Sequence, residues 1–185
     1  MEYSVGIVIY GGFSLLDLAG PYEILGRAVD PGDRDQQLFA QFAVGRNKDL
    51  ITCQGGIQIL PQHIYPDAHI YNVLLVPGGP GCLEATRNLR LMNWLERAAR
   101  LAKVVAAVGS GTFILAASRL LDNQKVANVS GLSEAYPAVQ TERVEGVVKD
   151  GNILSVSTND YGSELGMAII AELLGSDHAE IALGG

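Results

Sequence analysis

The segment Val104-Val105-Ala106-Ala107-Val108-Gly109-Ser110-Gly111-Thr112-Phe113 is the part of this sequence best suited to chemistry. A buried strand that turns at once into an apolar helix is the architecture of a nucleophile elbow. Such a turn lifts one side chain above the sheet and aims the following backbone N–H groups at the same place. The slot for that side chain lies two residues before the last glycine, and here it holds Gly109. Neither a thiolate nor a hydroxyl can attack from that position. Ser110 is one residue past the slot. Its hydroxyl is expected to cap the helix rather than act as a nucleophile, since no histidine base is placed beside it. Cys82 follows a second glycine-rich stretch, Pro77-Gly78-Gly79-Pro80-Gly81, and reads as a free, partly buried thiol. Cys53 and Cys82 show neither CxxC spacing nor a histidine pattern for zinc. His63, His69 and His178 read as surface loop histidines. The spacing of Gly78, Gly79 and Gly81 differs from a dinucleotide fingerprint. We therefore expect no cofactor and no catalytic metal.

The elements that must position these residues alternate. Apolar, β-branched runs at 4–10, 39–44, 72–76, 104–108 and 125–129 read as strands. Residues 51–60 and the pair 144–149 and 153–157, joined by Asp150-Gly151, read as hairpins. Helices are expected after Ser14 as N-cap, with Gly20-Pro21 interrupting, and at 84–103, 112–121 and 161–174. Residues 30–37 read as a loop, and the tail from Ser176 as short. Strands alternating with helices imply a mostly parallel sheet covered on both faces, with ligands at the carboxyl ends of the strands. The loops 77–81, 109–111 and 158–161 fall at such ends, as does the helix carrying Asp17.

The composition excludes several classes. The 185 residues suit one domain, 1–185, and are enough to bury a sizeable core. With 48% hydrophobic and 18% charged residues the chain is ordinary globular material. A net charge of −7 without a Lys/Arg cluster argues against nucleic acid and anionic membrane. Arg87, Arg90, Arg97, Arg100 and Lys103 form the solvated face of one helix, opposite Leu91, Leu95, Ala98 and Leu101. No apolar run approaches a membrane span of about 20 residues. Met1-Glu2-Tyr3 leads straight into a strand without a basic leader, so a cytoplasmic location is expected.

Four motifs occur in order: Val8-Ile9-Tyr10-Gly11-Gly12-Phe13, Leu16-Asp17-Leu18-Ala19-Gly20-Pro21-Tyr22-Glu23-Ile24-Leu25, Leu75-Val76-Pro77-Gly78-Gly79-Pro80-Gly81, and the elbow. Together they resemble the ThiJ/PfpI superfamily, class I glutamine amidotransferase-like, and within it the isonitrile hydratase-like branch. The resemblance implies a flavodoxin-like three-layer sandwich with a mostly parallel central sheet, and commonly a homodimer. Its members typically carry a cysteine in the elbow, an acid from the first helix and often a histidine after the next strand. In this chain the cysteine position matches Gly109. The histidine stretch falls near Ala127-Asn128-Val129, and the small-residue loop before the last helix becomes Ser157-Thr158-Asn159-Asp160-Tyr161. Asp17 matches the acid and is expected to point at the slot, where a carboxyl can shuttle a proton. Glu23, further along, reads as a structural hydrogen-bond partner. The amides of Gly79 and Ser110 are expected to form an oxyanion hole. Gly78 and Gly109 make room for substrate, and Asn128, Asn159 and Asp160 add polar contacts. Asp160 is also a candidate N-cap of the last helix.

These residues point to a cysteine-independent enzyme of the hydratase, lyase, isomerase or cyclase type. Its substrate would be a compact carbonyl-bearing metabolite, in a biosynthetic step. The second reading is a non-catalytic ligand-binding or partner protein. Similar domains serve as sensors in AraC-type regulators, but no helix-turn-helix follows here before Gly185.

Overall fold

The structure is a computed structural model that describes residues 2–65 and 69–184. The first half contains β1 (Tyr3–Val8), α1 (Leu15–Gly26), β2 (Val29–Asp30), β3 (Asp33–Gln37), β4 (Phe39–Gly45), β5 (Ile51–Thr52), β6 (Gln58–Ile59), β7 (His63–Ile64) and β8 (Val73–Val76). It continues with α2 (Cys82–Ala85), α3 (Leu89–Ala99), β9 (Val104–Val108), α4 (Gly111–Ala117), β10 (Lys125–Ala127), α5 (Leu132–Ala135) and β11 (Gln140–Glu142). The chain then forms β12 (Val147–Asp150), β13 (Ile153–Val156), a 3-10 turn (Asn159–Tyr161), α6 (Gly162–Leu174) and α7 (Ser176–Gly184).

Seven strands form one sheet in the order β12-β13-β9-β8-β1-β4-β7. Only the β12–β13 pair is antiparallel. This is the mostly parallel sheet that the alternating pattern implies and the flavodoxin-like α/β architecture that the resemblance implies. Strands β8 and β9 are buried along their whole length, so they read as continuous apolar runs rather than alternating ones. From β1 the chain steps outward to β4 and β7, then returns to the other side of β1 for β8, β9 and β13. That reversal puts a crevice at the carboxyl ends of β1 and β8, the usual ligand position in open sheets. Helices α1, α6 and α7 pack together, and so do α2, α3 and α4.

Several elements depart from the sequence expectation. Helix α1 runs through Gly20-Pro21 without interruption. Proline forfeits one helical hydrogen bond, but α1 is clamped against α6. A Cβ on Gly20 would lie 3.1 Å from the Gly162 backbone, and one on Gly166 would lie 2.8 Å from Ile24 Cβ. The two helices therefore touch nearly backbone to backbone. The 84–103 helix is split, because extended Asn88 starts α3 afresh and accepts from the Leu91 amide at 3.2 Å. Leu101 lies beyond α3 and is exposed. Helix α4 stops at Ala117, and Arg119 adopts a left-handed φ of 59°. Residues 30–37 form part of the antiparallel β2–β3 ribbon, and β10 leaves the main sheet to pair with β11. The tail is a further helix, α7, seated on α6. His63 is no loop residue: it sits half-buried on edge strand β7, stacked on Phe42 at 4.5 Å and on His69 at 3.8 Å.

Candidate functional site

Four carboxyl-end segments converge around Asp17. Ser14 caps α1, its side chain accepting from the Asp17 amide at 3.3 Å. The spacing Ser-x-x-Asp is that of a capping box, but the Asp17 carboxylate does not accept the Ser14 amide, which donates elsewhere. Its Oδ2 accepts the Gly78 amide at 3.0 Å, while the Ser14 amide donates to the Gly78 carbonyl at 2.7 Å. Helix α1 and the 77–81 loop are thus laced by two reciprocal bonds. Asp17 Oδ1 accepts from Ser14 Oγ at 2.5 Å and from Asn159 Nδ2 at 3.2 Å. Asp17 is only 6% exposed, and its carboxyl group receives three donors from three segments.

Asn159 reaches Asp17 because the glycine-lined crossing of α1 and α6 draws the 158–161 turn over the start of α1. Gly109 faces the same carboxyl. Its φ is +51°, a conformation that favours glycine. A Cβ there would lie 3.5 Å from Asp17 Oδ2 and 3.5 Å from the Ser157 carbonyl oxygen. The elbow of the sequence is therefore present, with its slot opening on the acid. Tyr10 stands behind the loop and donates to the Pro77 carbonyl at 2.8 Å. Burial, then the neighbouring Cys82 and Asp17, push its phenol far above the ordinary range.

Gly78, Gly79, Gly109, Ser110 and Asn159 are brought together around Asp17. Asn128 and Asp160 are not bonded to it. Asn128 instead lines a separate cleft of about 300 Å³ with Arg143, Glu145 and Ser157. Asp160 is exposed and accepts from the Thr158 hydroxyl at 3.0 Å. It does not cap α6: Thr158 caps the 3-10 turn that precedes that helix. Glu23 is exposed and pairs with Arg27 at 3.2 Å. Ser110 departs from expectation as well. Its side chain makes no capping bond. It accepts the Gly79 amide at 2.9 Å instead, so one of the two expected oxyanion donors is already engaged. The Ser110 amide has no acceptor among the described residues. Ser14 enters the site as a partner of Asp17, a role that its capping-box spacing signals. Tyr10 carried no local signal. Cys53 and Cys82 are free and buried. Among the described residues no cluster of three His, Cys, Asp or Glu is placed to hold a metal, and no helix is long and apolar enough to cross a membrane.

An α/β sheet whose elbow turn and acid meet at the strand ends defines a class, and comparison with known proteins agrees. The chain belongs to the DJ-1/PfpI family, whose model matches residues 3–172. It is 24% identical over 182 residues to the isonitrile hydratase of Pseudomonas putida, covering 98% of this chain and 76% of that protein. It is 34% identical over 179 residues to the HTH-type transcriptional regulator GlxA of Rhizobium meliloti (strain 1021). That match covers 95% of this chain, which spans about half (54%) of the regulator. Among solved structures, a THiJ/PfpI family protein from Pseudomonas syringae superposes with a TM-score of 0.87 at 24% identity, covering 98% of this chain and 73% of that one. Drosophila melanogaster DJ-1beta gives 0.84 at 20% identity, covering 100% and 97%.

Proposed function

We propose that the chain is a small-molecule enzyme that works without a cysteine nucleophile, using Asp17 as general acid and base. One observation carries this reading. An ionised carboxylate offers about four acceptor positions, and three are filled here, leaving capacity on Oδ2, the oxygen that faces Gly109. A substrate atom seated at the Gly109 slot lies within reach of that oxygen. Asp17 then removes a proton next to a carbonyl, or from an attacking water, and returns it to the product. The Ser110 amide stabilises the oxyanion or enolate that forms. The Gly79 amide joins it once the Ser110 hydroxyl turns aside. Gly78 and Gly109 keep the space open, and Asn159 fixes the carboxylate. Hydration, elimination, isomerisation or cyclisation of a compact carbonyl-bearing or isonitrile metabolite fits this machinery, as a biosynthetic step in the cytoplasm. The protein works as a homodimer, a reading supported by the exposed Leu16 and Tyr22 of α1, 62% and 45% accessible.

The test pairs a substrate panel of small carbonyl compounds and isonitriles with Asp17→Asn. Turnover that vanishes in the variant while ligand binding persists supports the reading. No turnover of any panel member by the wild-type chain, together with saturable binding, favours a ligand-binding protein. That second reading draws support from the saturation of Gly79 and most of Asp17 by the protein itself, and from the resemblance to half of a transcriptional regulator.

A further inference from the structure

A second cleft lies outside the Asp17 niche. It has a volume of about 980 Å³ and opens where the chain reverses direction across the sheet. Its walls come from residues following β1, from Arg46 after β4, and from the 81–90 segment containing α2. Three arginines, Arg46, Arg87 and Arg90, are among its lining residues, against one acidic residue, Glu84. All three arginines are exposed, and none forms an ion pair among the described residues. In a chain of net charge −7, a concave surface with two uncompensated positive charges is a local inversion of the overall field.

The remaining lining fits an organic ligand rather than a bare ion. Ile9, Ile51 and Leu89 supply apolar wall. Tyr65, also a lining residue, is buried; its hydroxyl accepts from Asn88 Nδ2 at 3.0 Å and retains its own proton to donate. Arginine presents paired N–H donors in a planar fork, the geometry that grips phosphate oxygens.

We infer that this cleft binds a small phosphate monoester, its dianion held by Arg46, Arg87 and Arg90 and its organic portion lying on the Ile51–Leu89 wall. Asp17, Gly109 and Ser110 do not line this cleft, and the inference does not depend on the catalytic reading.

The experiment is calorimetric titration of the full chain at fixed ionic strength with glycerol 3-phosphate, inorganic phosphate and glycerol. Glycerol 3-phosphate is expected to bind saturably, inorganic phosphate about ten-fold more weakly, and glycerol not at all. Arg87→Gln and Arg90→Gln should each weaken the ester about ten-fold or more. Arg87→Lys keeps the charge but loses the fork, and should recover only part of the affinity. Circular dichroism checks that each variant is folded, and Asp17→Asn should leave ester affinity unchanged. Three results would each overturn the inference: no saturable binding of the ester, ester binding indifferent to both glutamine variants, or inorganic phosphate binding as tightly as the ester.

Discussion

The hydroxyl of Ser110 accepts the backbone amide of Gly79 at 2.9 Å, across the mouth of the elbow. The side chain next to the empty slot thus occupies a donor that a substrate oxygen would use. Ser110→Ala uncovers that amide. The variant should lose about 1 kcal/mol of stability, the usual net value of one hydrogen bond, and bind small carboxylates more tightly than the parent. Urea denaturation and acetate titration measure the two effects.

Asp17 is the knot joining α1, the 77–81 loop and the 158–161 turn. Asparagine at this position presents an N–H₂ group to three donors and can satisfy only some of them. Asp17→Asn should therefore cost about 1–3 kcal/mol in denaturant unfolding, besides abolishing any turnover. Asn159→Ala removes one donor only and should cost less.

Gly109→Cys tests whether the slot can be refilled. The new Cβ meets its neighbours at ordinary contact distance, 3.5 Å, so space is not the obstacle. The left-handed backbone is, and it should cost about 1–2 kcal/mol. The variant should fold with a lowered midpoint and display one thiol accessible to a disulfide reagent without denaturant, while buried Cys53 and Cys82 stay unreactive.

Tyr10 sets an alkaline limit. Its phenol is raised by burial in the folded state and returns to about 10 when unfolded. A group with a raised folded value contributes stability that is fully present below the unfolded value and lost as pH rises through the folded one. Stability should therefore fall above about pH 10, and Tyr10→Phe should flatten that fall. Spectrophotometric titration should leave at least one of the seven tyrosines un-ionised until the chain unfolds.

The α1–α6 crossing has no room for side chains. Gly166→Val places a Cβ 2.8 Å from Ile24 Cβ and should cost about 1–3 kcal/mol by overpacking. If the helices part, Asn159 is carried away from Asp17, so ligand affinity should fall along with stability. Thermal unfolding and ligand titration of the same variant check both.

The central strands were legible because fully buried parallel strands leave unmistakable apolar runs, as at Val73–Val76 and Val104–Val108. So was the convergence of Asp17, Gly78 and Gly109, since each sits in a motif of fixed position. The continuity of α1 through Pro21 was not. It depends on a helix contact to Gly162, more than a hundred residues away, and local propensity cannot register it. The role of Ser110 was hidden for a similar reason. Its partner is an amide in another loop, and the same residue type fits a cap equally well. The β2–β3 ribbon has exposed polar residues throughout β3 and no apolar alternation to announce it.

The positive φ at position 109 also bears on how the site tolerates substitution. Elbow turns hold their reactive residue in strain, and strain at such sites is sustained by stability elsewhere in the fold. Glycine is at ease in that conformation, so this turn stores no such strain. The stability so released can absorb destabilising substitutions around it, such as polar or bulky residues in the neighbouring loops. Where such substitutions accumulate, a side chain introduced at 109 draws on a smaller reserve of stability, in line with the lowered midpoint expected of Gly109→Cys. The turn then works as a ratchet, easy to relax and hard to rewind, and it would leave any new chemistry at this site to evolve around the acid.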